Sequence, residues 1–188
     1  MANVKIIDLP IQQPASFDYF PLTTGVVTYR TTLASAVSTG RVDYTVVLQD
    51  QKTQNTPGGS FTSGDWRTRT LNTKVLDTGN ICSLASNQFT LPPGTYDFFA
   101  VAPAYSCNRV QARLQNITDT STTLLGGAIY AYSNVTVNNI IQGRFTIASS
   151  KTFELQQRCQ STQSTNGFGV EGNFTTEIYA NVKINKIS

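Results

Sequence analysis

An antiparallel all-β fold, a sandwich or a jelly roll, is predicted by three observations. From Tyr44 onward no window of a dozen residues carries a 3.6-residue apolar period, while short runs follow period two. Those runs are separated by "TPGGSFTSGD", "DTGN", "LPPG", "TDTST", "LGG" and "STNGFG", in which Gly, Asn, Asp and Pro supply turn geometry. The composition, 39% hydrophobic and only 13% charged with abundant Thr, Ser, Asn and Gln, suits pleated strands whose solvated faces are neutral and polar. Eight or more short strands with this punctuation make a sandwich or jelly roll.

Each element follows from its pattern. Pro92 and Pro93 stop the strand ending in "QFTL", because proline fixes φ and lacks an amide donor, and Gly94 permits the reversal. In "TYDFFAVAPA" the alternating sets Tyr96, Phe98, Ala100 and Asp97, Phe99, Val101 are both largely apolar, so this strand is expected to be central and covered on both faces. "RVQARLQNI" turns Val110, Ala112 and Leu114 one way and Arg109, Gln111, Arg113 and Gln115 the other. "GRFTIAS" places Phe145 and Ile147 inward, and "KTFELQQRC" does the same with Phe153 and Leu155. The last strand, "TEIYANVKINKI", sets Ile178, Ala180, Val182 and Ile184 against Glu177, Tyr179, Asn181 and Lys183.

Residues 1–40 read differently. They hold Pro10, Pro14 and Pro21, an apolar start "VKIIDLP", and "LASAV", where Thr31 or Thr32 is placed to cap one or two helical turns. So short a segment cannot bury a core of its own and needs something to lean on, whereas 41–188 suffices for one domain, burying roughly 70% of its unfolded surface.

Several function classes are disfavoured. The net charge of +3 comes from 14 basic and 11 acidic residues scattered singly, without the basic stripe that nucleic acid demands. No stretch approaches 18 apolar residues and the start lacks a signal peptide's basic head and apolar middle, so neither membrane insertion nor export is expected. Cys82, Cys107 and Cys159 are odd in number and widely spaced, as buried free thiols are. No His is present as a triad base, no carboxylates form a recognisable glycosidase pair, no Gly-Lys-Ser/Thr phosphate loop occurs, and no spaced Asp run suits calcium. The expectation is a protein that is not an enzyme and needs no cofactor or metal.

The blocks "WRTRTLNT", "FTLPPGTY", "APAYSCNRVQARLQNITD", "TLLGG", "FTIASSKTFELQQRCQ", "NGFG" and "IYANVKI" come in an order and spacing that resemble the C-terminal heads of bacteriophage fibre proteins. Those heads are jelly rolls of the tumour-necrosis-factor and complement-globular-head type, and the resemblance covers about Trp66 to Ile187. The opening, "KIIDLP" followed by "FPLTTGVVTYRTTLASAV", is similar, over a shorter span, to the segment that begins many tail-fibre proteins. It implies a docking segment in residues 1–40 through Ile6, Ile7, Leu9, Pro10, Phe20 and Tyr29, contacting other phage tail or baseplate proteins. Heads of this family often carry a His shortly after the "APAY" run; Val110 stands there instead.

The resemblance also implies a homotrimer, in which one sheet's outer face lines the three-fold axis. Tyr179, alternating with Glu177 and Lys183, is a candidate seam, since an aromatic with a polar tip beside complementary charges suits such a contact. Arg113, Glu154 and Arg158 are a second candidate set between protomers, with scattered surface charge as the alternative. Candidate receptor contacts lie in two neutral-polar loops with aromatics, which suit sugars: Phe61 and Asp65 in the first, Tyr130, Tyr132, Asn134 and Asn138 in the second. The resemblance puts Trp66 in a framework position, implying core or interface rather than a ligand platform. The resulting expectation is a virion protein of a tailed phage, assembled in the host cytoplasm. It would be a trimeric tail or baseplate fibre docked at its N-terminus, with a jelly-roll head that contacts a host surface glycan or protein. A capsid decoration or tail-machine protein without receptor binding, or a polysaccharide depolymerase, are the alternatives.

Overall fold

The computed structural model describes residues 19–24, 27–32 and 44–188. The chain divides into two units, Met1–Val42 and Asp43–Ser188. In the first, β1 (Tyr19–Thr24) and β2 (Val27–Thr32) pair antiparallel, with Phe20 opposite Thr31 and Leu22 opposite Tyr29. Thr31 and Thr32, expected to cap a helix, lie in β2. The "LASAV" run, like Ile6, Ile7, Leu9 and Pro10, falls outside the described residues.

The second unit is all strand among the described residues: β3 (Tyr44–Lys52), β4 (Arg67–Thr68), β5 (Thr73–Asp77), β6 (Ser83–Ala85), β7 (Gln88–Leu91), β8 (Gly94–Tyr105), β9 (Asn108–Asn116), β10 (Ser121–Leu125), β11 (Ile129–Ala131), β12 (Thr136–Ile147), β13 (Lys151–Cys159) and β14 (Glu177–Lys186). One sheet has the order β12-β8-β14-β3-β5. The other runs β10-β9-β13-β7-β6, with β11 also paired to β9 and β4 to β13. The chain passes repeatedly from one sheet to the other, as a jelly roll requires.

Period two places the core between the sheets. Tyr96, Phe98, Ala100 and Ala102 of β8 and Ile141, Phe145 and Ile147 of β12 meet Ala112 and Leu114 of β9 and Phe153 and Leu155 of β13. Four rings form its centre: Phe145 lies 5.4 Å from Phe153 and 5.5 Å from Tyr96, and Phe89 lies 5.7 Å from Phe153. At one end of the sandwich a smaller cluster joins Phe61, Ala104, Cys107, Val110, Ala131 and Cys159. Arg69, fully buried, donates to the carbonyls of Pro103 and Phe168 and to Gln157 Oε1, with its guanidinium 4.1 Å from the Phe168 ring. Burial pulls its pKa down to about 10 despite the opposing charge of Asp50.

The "LPPG" turn works as its residues require. Gly94 has φ +155°, and a Cβ there would lie 2.6 Å from the Ser188 carbonyl oxygen. The Tyr96 hydroxyl reaches back to donate to the Pro92 carbonyl at 2.6 Å.

The last strand departs from simple alternation. A register shift between Ile178 and Asn181 inserts a bulge, which reverses the faces of the residues before it. Ile178, expected inside, is 52% exposed, and Tyr179, expected on the outer face, is buried. Its hydroxyl donates to the Thr56 carbonyl and its ring fills the space beside Gly169, where φ is +134° and a Cβ would collide with it. Tyr179 is therefore occupied inside the chain rather than exposed on the outer face.

Candidate functional site

Strands that alternate between the core and the outside leave two outer faces, one per sheet. On the five-stranded sheet the cross-strand row Gln142, Phe99, Lys183, Val47 and Leu76 lies beside the row Ile140, Val101, Asn181 and Gln49. Phe99, Ile140 and Leu76 are exposed, so β8, although central, is open on its outer side and not covered as its sequence implies. Polar groups border these side chains. Arg144 binds Asp97 through two hydrogen bonds of 2.7 and 2.8 Å, and Thr45 donates to Asn185 Oδ1.

The outer face of the seven-stranded sheet is of another kind. Gln111 stands opposite Arg158, Arg113 opposite Gln156 and Gln115 opposite Glu154. Arg113 donates to Gln156 Oε1 at 2.9 Å, and its guanidinium lies 4.2 Å from the ring of Trp66. Gln156 donates to Glu154, which also accepts from Thr68 and Gln88. Burial alone pushes the Glu154 carboxyl up, but these three donors and the Arg113 charge outweigh it and hold the group below its ordinary value. A shallow groove of about 420 Å³ opens beside this network. Gly64, Trp66, Arg109, Gln111, Arg158 and Gln160 line it, with Val110 and Cys159 beneath. Tyr130 is directly opposite Arg109 in register, on the same face, and its ring stacks on Tyr132 at 6.2 Å.

The structure sorts the candidates named from sequence. Arg113 and Glu154 come together, within one chain and through Gln156; Arg158 stands apart from them, exposed at the groove. Glu177 is buried and accepts from the amides of Gly172, Asn173 and Asn55, which hold its pKa down, whereas Lys183 is exposed on the apolar face. Phe61, expected at the surface, is fully buried: it bridges to Gln163 and packs 4.5 Å from Phe168, so its ring has no face for a ligand. Asp65 is exposed and caps the Trp66 amide. Tyr130, Tyr132 and Asn138 are exposed; Asn134 sits in a turn at φ +60°, where its side chain accepts from Tyr105. Trp66, expected in the core or at an interface, belongs to neither buried cluster, and its partner Arg113 lies too far along the chain for spacing to reveal.

The globular unit superposes on murine APRIL at pH 8.0 with a TM-score of 0.51 and 8% identity, over 77% of this chain and 99% of that one. The fold is a tumour-necrosis-factor-like jelly roll. The globular domain of zebrafish complement 1qA protein aligns at 0.49 and 16% identity over 79% and 98% of the two chains, and the PRD1 vertex protein P5 at 0.46 and 13% over 77% and 97%. Of these three only the first passes 0.5, and the fold assignment rests on it. No family model matches the jelly-roll chain, and no curated protein matches it.

Proposed function

We propose that this chain is a structural virion protein of a tailed phage, a trimeric tail or baseplate fibre. Its N-terminal segment docks to the particle and its jelly-roll head adheres to the host surface without catalysis. The observation that carries this reading is the contrast between the two outer faces. A sheet face that exposes Phe99, Ile140 and Leu76 among polar neighbours such as Lys183 and Asn181 is the anatomy of a surface made to be covered. Two further copies of the chain cover it if Phe99, Val101, Ile140 and Leu76 line the three-fold axis. The sandwich then turns the other sheet outward in every protomer, with Arg109, Arg158, Tyr130 and Tyr132 exposed to a ligand. Three such faces per head and several heads per particle turn modest affinities into firm attachment.

The "KIIDLP" opening and its resemblance to tail-fibre starts support docking through residues 1–40. Adsorption competition tests the reading. Purified protein added to host cells ahead of the phage should lower adsorption, and antibody to the head should label the tail or baseplate in electron micrographs. Labelling of the capsid with no effect on adsorption would make the protein a decoration instead.

A further inference from the structure

We infer that the groove beside Trp66 is a binding site for an acidic polysaccharide, with Arg109 and Arg158 holding its anionic groups and the indole supporting a sugar ring. This rests on the adhesive reading above and names the ligand class and the residues that would select it.

Arg158 is registered against Gln111, and the Gln160 amide donates to the Arg109 carbonyl, so the two arginines are diagonal neighbours on adjacent strands. Such neighbours lie about 7–8 Å apart, a spacing at which like charges repel unless something offsets them. Among the described residues neither arginine's side chain makes a hydrogen bond or ion pair, whereas the side chain of their neighbour Arg113 is held by Gln156, Thr122 and Trp66. The nearby acids pair with neither: Glu154 accepts from Thr68, Gln88 and Gln156, and Asp65 from the Trp66 amide, and both carboxylates face Arg113. The groove thus presents two guanidinium groups with no direct partner among the described residues. It is shallow, Trp66 forms part of its lining, and it holds neutral amide groups from Gln160 and from Gln111, whose Nε2 donates to the Gly126 carbonyl and whose Oε1 is left to accept.

Each part matches one part of an acidic sugar chain. Guanidinium forks pair with carboxylate or phosphodiester oxygens, the glutamines meet hydroxyls, and the apolar face of a pyranose lies on an indole. Arg113, lying against the indole from within the network, fixes the plane of that ring. A neutral glycan would leave both arginines without a charged partner, which makes charge the selecting feature. Nucleic acid, also anionic, would need a longer basic track than these two side chains.

Trp66 is the only tryptophan in the chain, so its fluorescence reports on this groove alone. The intact protein is titrated with oligogalacturonate, with a glycerol-phosphate polymer and with dextran of matched length. The expected result is a saturable change in Trp66 emission with an acidic probe, weakening as salt is raised, and none with dextran; the two acidic probes separate carboxylate from phosphate recognition. R109Q and R158Q should each weaken binding about tenfold, since a hydrogen bond to a charged group is worth at least that factor. Native mass and probe-free Trp66 emission should stay as in the wild type, which separates lost binding from lost fold. The inference is overturned if neither acidic probe binds, if dextran binds as well, or if the R109Q/R158Q double variant binds like the wild type. A double variant that still blocks phage adsorption as well as the wild type overturns this site while leaving the adhesive role intact; a wild-type protein that blocks nothing removes both.

Discussion

The two outer faces of this sandwich are built by the same alternation of residues, yet they differ in chemistry: one mixes exposed apolar side chains with polar ones, and the other is almost wholly polar. On the five-stranded sheet the outward positions of β8 and β12 carry Phe99, Val101 and Ile140, and the cross-strand row ends on Val47 and Leu76. On the seven-stranded sheet the outward positions of β9 and β13 carry Arg109, Gln111, Arg113, Glu154, Gln156 and Arg158. Both faces lie over one shared core, so the difference is not a demand of folding. It marks the first face as suited to another protein surface and the second to water and a polar ligand.

The largest effect that can break this comparison comes from putting a charge on the apolar face. Phe99→Asp should abolish self-association while leaving the protomer folded, because the ring is exposed and contributes little to the core. Sedimentation velocity together with far-ultraviolet circular dichroism checks both halves. Phe153→Ala sharpens the comparison by striking the core beneath both faces. It should cost about 3–5 kcal/mol of stability, read from the urea midpoint, and depress association and ligand binding together.

A smaller effect belongs to the polar face alone. Glu154→Ala strands the donors of Thr68, Gln88 and Gln156 and should cost about 1–3 kcal/mol. It should also loosen Arg113 from Trp66, visible as a shift in tryptophan emission. The pH dependence has a definite sign. The folded pKa of Glu154 and of Glu177 lies below the ordinary 4.5, so the stability they contribute is present above that value. It is lost as pH falls through the folded values. The urea midpoint should therefore drop as pH is lowered through the ordinary carboxylate range and below it, and less so in Glu154→Gln.

The smallest expected signal is from the thiols. Burial pushes the Cys82 pKa up to about 12, and Cys107, hydrogen-bonded to Cys159 and buried, is also raised. A thiol reagent at neutral pH should spare Cys82 and Cys107 in the native protein and react with all three cysteines in urea.

Strand content and the inward faces of β8, β9, β12 and β13 were legible in the sequence, because alternation with a consistent apolar set identifies a buried face. The bulge in β14 was not legible. Alternation cannot reveal one inserted residue, and that residue is what turns Tyr179 in and Ile178 out. The burial of Phe61 depends on its bridge to Gln163 and its packing on Phe168, about a hundred residues away, so a Gly- and Ser-rich flank made a buried ring look like a surface loop. The groove was legible only in pieces. Arg113 and Arg158 stood out as charges on strands, but their different fates, one locked on Trp66 and one unpaired among the described residues, follow from sheet register.

The central claim is that the apolar face of the five-stranded sheet is covered by copies of the same chain. Native mass spectrometry of the wild-type protein tests it most directly. The account predicts a species at three times the 20.5 kDa chain mass, and a monomer alone at micromolar concentration would contradict it.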